Sequence, residues 1–324
     1  MNALVGEVLA WADGLPLPGS GATAERFDRL RACAAQRPSL GRLVEAHTDA
    51  VAILAEAGRS APPGCLGVWA ARGAEPVVLE RRSGTLRLRG TAPWCSGATV
   101  VEGALVTAEA DDGAALVLVS LDAHGVQRGE PTWVSPAFAE TDTRSVAFDV
   151  ELDDDAVIGR GGWYVQRPGF WHGAVGVAAC WAGCAEGLVG RVVSRWRSDP
   201  HATAHLGAID ARLWSMSAAL AGAAAEIDAA PADVEAAHRR ALRVRHVVDS
   251  GVEEITQRVQ RALGPAPMAM DPDVHLVMAE CDLYRRQCHA ERDLEALGAL
   301  YGPSSAQITL PSPSIGCTPQ RADS

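Results

Sequence analysis

One stretch of this 324-residue chain groups residue types able to hold a flat cofactor: Gly90-Thr91-Ala92-Pro93-Trp94-Cys95-Ser96-Gly97-Ala98. An indole can stack on a planar ring, a serine hydroxyl can donate to a ring heteroatom, and glycine and alanine let backbone come close. The stretch follows Thr85-Leu86-Arg87-Leu88-Arg89, whose alternation reads as a strand with one wet face. Trp94, Cys95 and Ser96 are therefore the first candidates for contact with a cofactor. The competing reading of Trp94 is an aromatic that plugs a β-barrel.

Other chemical groupings are weaker. The eight cysteines show no CxxC pair, which argues against structural zinc or a disulfide framework. Cys180 and Cys184 stand one helical turn apart and read as small core residues. His201 and His205 have the spacing of helical metal ligands but lack a paired carboxylate, and Pro200 makes them a helix-start surface pair, so no metal site is expected. No GxGxxG, Walker or GxSxG sequence is present. The net charge of -11, with arginine as the only basic residue besides histidine, argues against binding a phosphate backbone. Arg239, Arg240, Arg243 and Arg245 read as an exposed face or a subunit contact.

These residues need a scaffold. Hydrophobic residues make up 48% of the chain, enough for an extensive core, and the length allows about two domains. Residues 1–63 read as helices; Leu40, Leu43, Val44, Val51 and Leu54 form a stripe at helical spacing after Ser39, with His47 beside it. Residues 64–165 change period: Pro76–Glu80, Thr85–Arg89, Val100–Thr107, Ala114–Val119 and Ser145–Val150 are short runs rich in Val and Leu, separated by Gly, Asp and Ser turns. Their hairpin-like spacing predicts an antiparallel barrel or sandwich. Residues 166–302 predict a four-helix bundle with helices over roughly 170–197, 202–229, 232–263 and 272–301, broken at Pro200, Pro231 and Gly264-Pro265. Residues 303–324, rich in Pro, Ser and Thr, read as a flexible tail. The fold class is thus α+β, with helices first, a β-domain and then a bundle. The start lacks a basic segment followed by an apolar one, and apolar runs such as Ala174–Ala182 fall short of the ~20 residues that span a bilayer. A soluble, cytoplasmic protein is expected.

That order of elements resembles the acyl-CoA dehydrogenase superfamily of flavoproteins, and three segments carry the likeness. Leu86–Ala98 looks like the family's strand leading into Trp-x-Thr/Ser, which lies against the flavin. Phe148–Gly159 is similar to the exit from its β-domain, and Ala182-Gly183-Cys184-Ala185-Glu186-Gly187-Leu188 to the Gly-x-Ala repeat of its first bundle helix. The resemblance implies FAD as cofactor, with Trp94, Cys95 and Ser96 at the isoalloxazine and Val68 and Trp69 where the first flavin-binding strand would run. It also implies a homodimer or higher oligomer.

The departures matter as much. The amino-terminal helical part is shorter than in the family, Trp69-Ala70-Ala71-Arg72-Gly73-Ala74-Glu75-Pro76 replaces Thr-Glu-Pro-x-x-Gly-Ser, and Arg-x-x-Phe-Gly is absent. Arg195 or Arg197 stands in place of that pyrophosphate grip, and Gly264 is the remnant of the Gly-Gly turn near the adenosine half. Neither family position for the catalytic carboxylate holds one. His289 and Glu291 are the substitutes for a base, with Cys288 a further candidate, against the reading of Glu291, Arg292 and Asp293 as a solvated charge run. The resemblance implies an FAD-dependent oxidoreductase that oxidises an acyl thioester or related small molecule across its α,β bond. The alternatives are a flavin monooxygenase or oxidase on the same fold, which needs no such base, and a non-catalytic scaffold or partner subunit.

Overall fold

The computed structural model describes residues 3–82 and 84–301. The expected tail and Cys317 lie outside the described residues. Three helices come first, α1 (Ala3–Ala12), α2 (Thr23–Gln36) and α3 (Pro38–Glu56). Pro38 opens α3 at a position where its missing N–H costs nothing. Leu40, Leu43, Val44 and Leu54 are buried along the expected stripe. His47 is buried too, and its Nδ1 accepts the Leu66 N–H at 3.1 Å, which ties the helix to the first strand.

The β-domain contains eight strands among the described residues: β1 (Leu66–Trp69), β2 (Val78–Arg82), β3 (Thr85–Cys95), β4 (Gly103–Ala110), β5 (Gly113–Ser120), β6 (Val126–Arg128), β7 (Arg144–Leu152) and β8 (Val157–Gly159). Their order is β6-β7-β3-β2-β4-β5-β8, with β1 beside β4. Leu86 and Leu88 enter the core, while Arg87 on the opposite face clamps Asp149 of β7 with bonds of 2.6 and 2.8 Å. The sheet is mixed rather than antiparallel throughout, because β1 runs parallel to β4 and Val78 of β2 meets Glu109 of β4 in parallel. A parallel pair needs a long crossover, and here the β2–β3 hairpin is that crossover, which hydrophobic alternation alone does not show.

After α4 (Trp163–Gln166), the chain is helical: α5 (Pro168–Val192), α6 (Pro200–Ala229), α7 (Val234–Leu263), α8 (Ala266–Met270), α9 (Pro272–Tyr284) and α10 (Glu291–Ala299). Asp199, Asp233 and Asp271 cap α6, α7 and α9 by accepting first-turn N–H groups. The single helix expected over 272–301 is broken: Cys288 is extended and Ala290 has φ 48°. The Arg285 guanidinium turns to Asp249 and Asp282, and Arg245 donates to the Gln287 carbonyl, so side chains draw this segment away from a helical path.

Helix α5 is the centre of the packing. Gly169, Gly173, Gly176, Cys180, Gly183 and Gly187 recur at intervals of four and three, which places them on one face. That face lies so close to α2 that a Cβ at Gly183 or Gly187 would collide with the carbonyl oxygen of Arg31 or Ala35. Cys180 and Cys184 are fully buried, and burial pushes both thiols far up. By length and composition the stretch Pro168–Arg195 could cross a membrane, but 67% of its most apolar window is buried inside the molecule.

Two alanine substitutions in α5 separate packing from helix propensity. G183A should cost about 1–3 kcal/mol or more by overpacking against α2. G190A has open space within 4 Å and should gain up to about 1 kcal/mol. Urea denaturation of the two variants checks the opposite signs.

Candidate functional site

A cavity of about 670 Å³ lies where α3, the ends of β1 and β3, α5, α7 and the segment after α9 meet. The β-domain contributes Val68, Trp69, Ala70 and Ala71 from β1 and beyond, and Trp94 and Ser96 from the end of β3. Pairing of β3 with β7 slips between Ala92 and Cys95, a bulge at Pro93, which has no N–H to offer a ladder. The slip puts Trp94 in the left-handed region at φ 58°, a costly conformation for a bulky residue. Trp94 is 65% exposed and stands edge-on to Trp133, with ring centroids 6.1 Å apart. It forms the rim of the cavity rather than a plug of the sheet.

Cys95 points the other way, into the core, where burial pushes its thiol up to about 12; it does not line the cavity. Ser96 faces the cavity again. Its backbone oxygen accepts the indole N–H of Trp69 at 3.0 Å, and its hydroxyl accepts from Thr143, which pairs with Thr141 at 3.1 Å. Sequence reading missed this short hydroxyl relay, because Thr141 and Thr143 follow a loop and carry no motif.

The opposite wall was also missed. Arg42, Glu45 and Asp49 project from α3 into the cavity at helical spacing. Glu45 is 6% exposed, and its Oε2 accepts from Arg42 at 2.7 Å. Burial lifts its carboxyl to about 7 against the pull of Arg42, and neighbouring Asp49 adds to the rise. Asp49 is raised as well by burial, opposed by Arg167, Arg26 and Arg42. It has no hydrogen-bond or ion-pair partner among the described residues. A Cβ on Gly173 of α5 would come within 2.6 Å of its Oδ1, so that glycine makes room for the carboxylate. Arg26 donates to Pro16 and Thr48, while Arg167 pairs with Glu56 at 2.6 Å. The Tyr284 hydroxyl is buried with no oxygen or nitrogen hydrogen-bond partner and lies against the weak Cys180 thiol. The available signal was two acids inside a helix otherwise rich in buried residues.

The remaining candidates fall elsewhere. His289 is exposed and lies 3.4 Å from Asp293, and Glu291 is exposed in the first turn of α10; neither lines the cavity. The broken helix separates them from the cavity wall, which ends at Arg286 and Gln287. The Cys288 thiol is raised by burial rather than depressed, because Arg285 is committed to acids of α7 and α9. Arg197 and Gly264 come close to each other, since Arg197 donates to the Ala262 carbonyl at 2.8 Å, but they sit beyond the far end of α5. From Val177, the last α5 residue on the cavity, to Val192 is roughly 22 Å of helix.

No family model and no curated protein matches the chain. Solved structures do. The FMN-bound dibenzothiophene monooxygenase TdsC from Paenibacillus sp. A11-2 superposes with a TM-score of 0.76 and 18% identity, over 92% of this chain and 87% of that one. XiaF from Streptomyces sp., in complex with FADH2 and glycerol, gives 0.74 and 19% over 96% and 90%. A nitrososynthase from Micromonospora carbonacea var. africana gives 0.74 and 18% over 90% and 87%. The chain therefore shares the fold of these flavoenzymes, which is acyl-CoA dehydrogenase-like.

Glu45 supplies a pH test. Its folded pKa of about 7 lies above the ordinary glutamate value, so its contribution is fully present below about pH 4.5 and is lost as pH rises through 7. Relative to E45Q, the native protein should lose on the order of 3 kcal/mol over that window. Urea denaturation of both proteins from pH 4.5 to 8 measures the difference, and parallel curves would show that Glu45 titrates normally.

Proposed function

We propose that the protein is a flavin-dependent monooxygenase whose cavity takes the isoalloxazine ring on its β-domain side and a small substrate on its α3 side. The observation that supports this reading is the cavity itself. Its β-wall combines a locked indole, two alanines that leave room for a flat ring, and the Ser96–Thr143 hydroxyls, on a fold shared with flavin monooxygenases. The unpartnered Asp49 carboxylate on the cavity wall is a polar group that a ligand would satisfy.

When bound, reduced flavin supplies the two electrons with which dioxygen is divided, one oxygen atom going to substrate and the other, with two protons, leaving as water. The chain's own residues have three tasks. Trp69 and Ser96, held to each other, form a fixed wall for the ring. Phe138, Phe170 and Val177 exclude water from the substrate half. Glu45, with its carboxyl near 7, holds or releases a proton at neutral pH.

FAD is the form of the flavin that we propose. Arg197 and Gly264 lie too far along the helices to meet a flavin in the same chain's cavity, so they would serve the adenosine half from a second copy, in a homodimer or larger assembly. Dehydrogenation of an acyl thioester is the second reading, and one observation favours it: Glu45 and Asp49 are carboxylates inside the cavity.

Purified protein incubated with FAD or FMN should show bound flavin absorbing near 450 nm. S96A should weaken both flavins, whereas R197A should weaken FAD alone. Oxygen uptake with reduced flavin and a panel of small aromatic substrates should exceed the uptake of flavin alone. Absence of flavin binding ends the flavoenzyme reading, and anaerobic bleaching of oxidised flavin by an acyl-CoA would favour the dehydrogenase.

A further inference from the structure

The α3 side of the cavity carries charge in a balance that restricts what can enter. Arg42, Glu45 and Asp49 line the wall, and behind them Arg26, Arg167 and Glu56 complete a set of three cations and three acids, with Arg42 paired to Glu45 and Arg167 to Glu56. On the far wall Arg245 lies over the Trp181 ring and within 3.7 Å of Asp293. Arg286 reaches the cavity only from an exposed position, where water screens it. A charged substrate group arriving beside the Arg42–Glu45 pair would unbalance it where water is scarce and an extra charge is costly. An uncharged group would not.

Several polar atoms around that cluster lack partners, and those of Arg26 (Nε) and Arg167 (Nε and Nη2) belong to residues that do not line the cavity. Asp49 accepts no hydrogen bond among the described residues, and the buried Tyr284 hydroxyl lies against a thiol. Gly173 seats the Asp49 carboxylate against the backbone of α5, which fixes its place. Aromatic rings surround the space: Tyr164 packs edge-to-face on Phe170 at 5.3 Å, and Phe138 on Tyr284 at 5.2 Å. A carboxylate acceptor facing a cavity discriminates by what it loses, since a ligand that displaces its water without donating leaves it unpaired.

We infer that Asp49 selects the substrate, and that the substrate is an uncharged aromatic molecule bearing one hydrogen-bond donor, a phenolic O–H or a ring N–H, which the Asp49 carboxylate accepts. The inference rests on the proposed placement of flavin only in assigning the α3 half of the cavity to substrate.

Matched probes test this by calorimetry at pH 7.5 on flavin-free protein. 2-Naphthol should bind on the order of tenfold tighter than 2-methoxynaphthalene, or indole tenfold tighter than 1-methylindole, and the pair that shows the preference tells whether O–H or N–H is read. In D49A the preference should fall below about twofold. D49N keeps the shape and an acceptor without the charge, and should show an intermediate preference of about threefold; it decides the matter if D49A does not fold. The inference is overturned if neither pair is discriminated, if the preference survives in D49A or stays undiminished in D49N, or if tryptamine or indole-3-acetate binds more tightly than indole. Flavin affinity, measured separately on the same variants, is a different readout: its absence with donor selectivity intact removes the monooxygenase reading and leaves this one standing.

Discussion

The contact between α5 and α2 is the constraint on which the rest of the molecule depends. Backbone meets backbone along Gly183 and Gly187, and a single methyl group there has nowhere to go. Such contact sets the height and rotation of α5 more tightly than interdigitated side chains would, because no rotamer can absorb an error. The same face continues through Gly176 and Gly173 to Gly169, where it meets the acids of α3 in place of the α2 backbone. One stripe of small residues thus does two things. It docks the amino-terminal helices onto the bundle, and it leaves the space in which Asp49 and Glu56 sit. Phe170, Ala174 and Val177, on the adjoining side of the helix, are turned toward the β-domain as a consequence and become a wall of the cavity.

The β-domain solves a complementary problem. A regular strand would send Trp94 and Ser96 to the same face, since residues two apart share one. Both do border the cavity, and the bulge at Pro93 sets how deeply each reaches into it. Trp94 swings to the rim in a strained conformation, Cys95 goes into the core, and Ser96 is left facing inward, where its carbonyl fastens Trp69 of β1. The strained residue is therefore the one that frees its neighbours to be placed. The sheet's parallel β1–β4 pairing then brings Val68 and Trp69 level with Ser96, from a strand remote in sequence.

What the sequence disclosed, and what it withheld, follow from the range of the forces involved. Alternation over Leu86 and Leu88 and the capping aspartates before α6 and α7 act locally, and both elements were legible within a residue or two at their starts. The Trp94–Ser96 segment drew notice because its residue types are unusual together, and Trp94 and Ser96 do border the cavity. Glu45 and Asp49 were not legible, since acids opposite an apolar stripe read as a solvated face. Only the arrival of Arg26 from α2 and Arg167 before α5 turns that face inward, and no local pattern announces it. His289 and Glu291 were misplaced for a related reason: Arg245 and Arg285 hold the segment between α9 and α10 through contacts far apart in sequence. Strands β6 and β8, at three residues each, are too short for a period to show.

Several unusual groups of this protein gather around one cavity, a concentration seen without reference to any likeness in fold. An indole in a left-handed backbone conformation, a carboxyl lifted to about 7, an unpaired aspartate and a buried hydroxyl without an oxygen or nitrogen partner all border the same 670 Å³. Each feature costs folding free energy. The largely buried Arg26, Glu45 and Arg167 add to that cost, even when Arg167 gains from the Trp163 and Tyr164 rings 5.6 and 5.3 Å away. An apolar filling of the same volume would be more stable and would leave no cavity. A sequence that is consistent at every level elsewhere departs from consistency here, and such departures mark where stability has been exchanged for chemistry. The direction of the departure is informative as well. The cluster pairs positive with negative groups, its unpartnered arginine nitrogens belong to residues behind the cavity wall, and the free acceptor on the wall itself is Asp49, so the group it awaits is a hydrogen-bond donor.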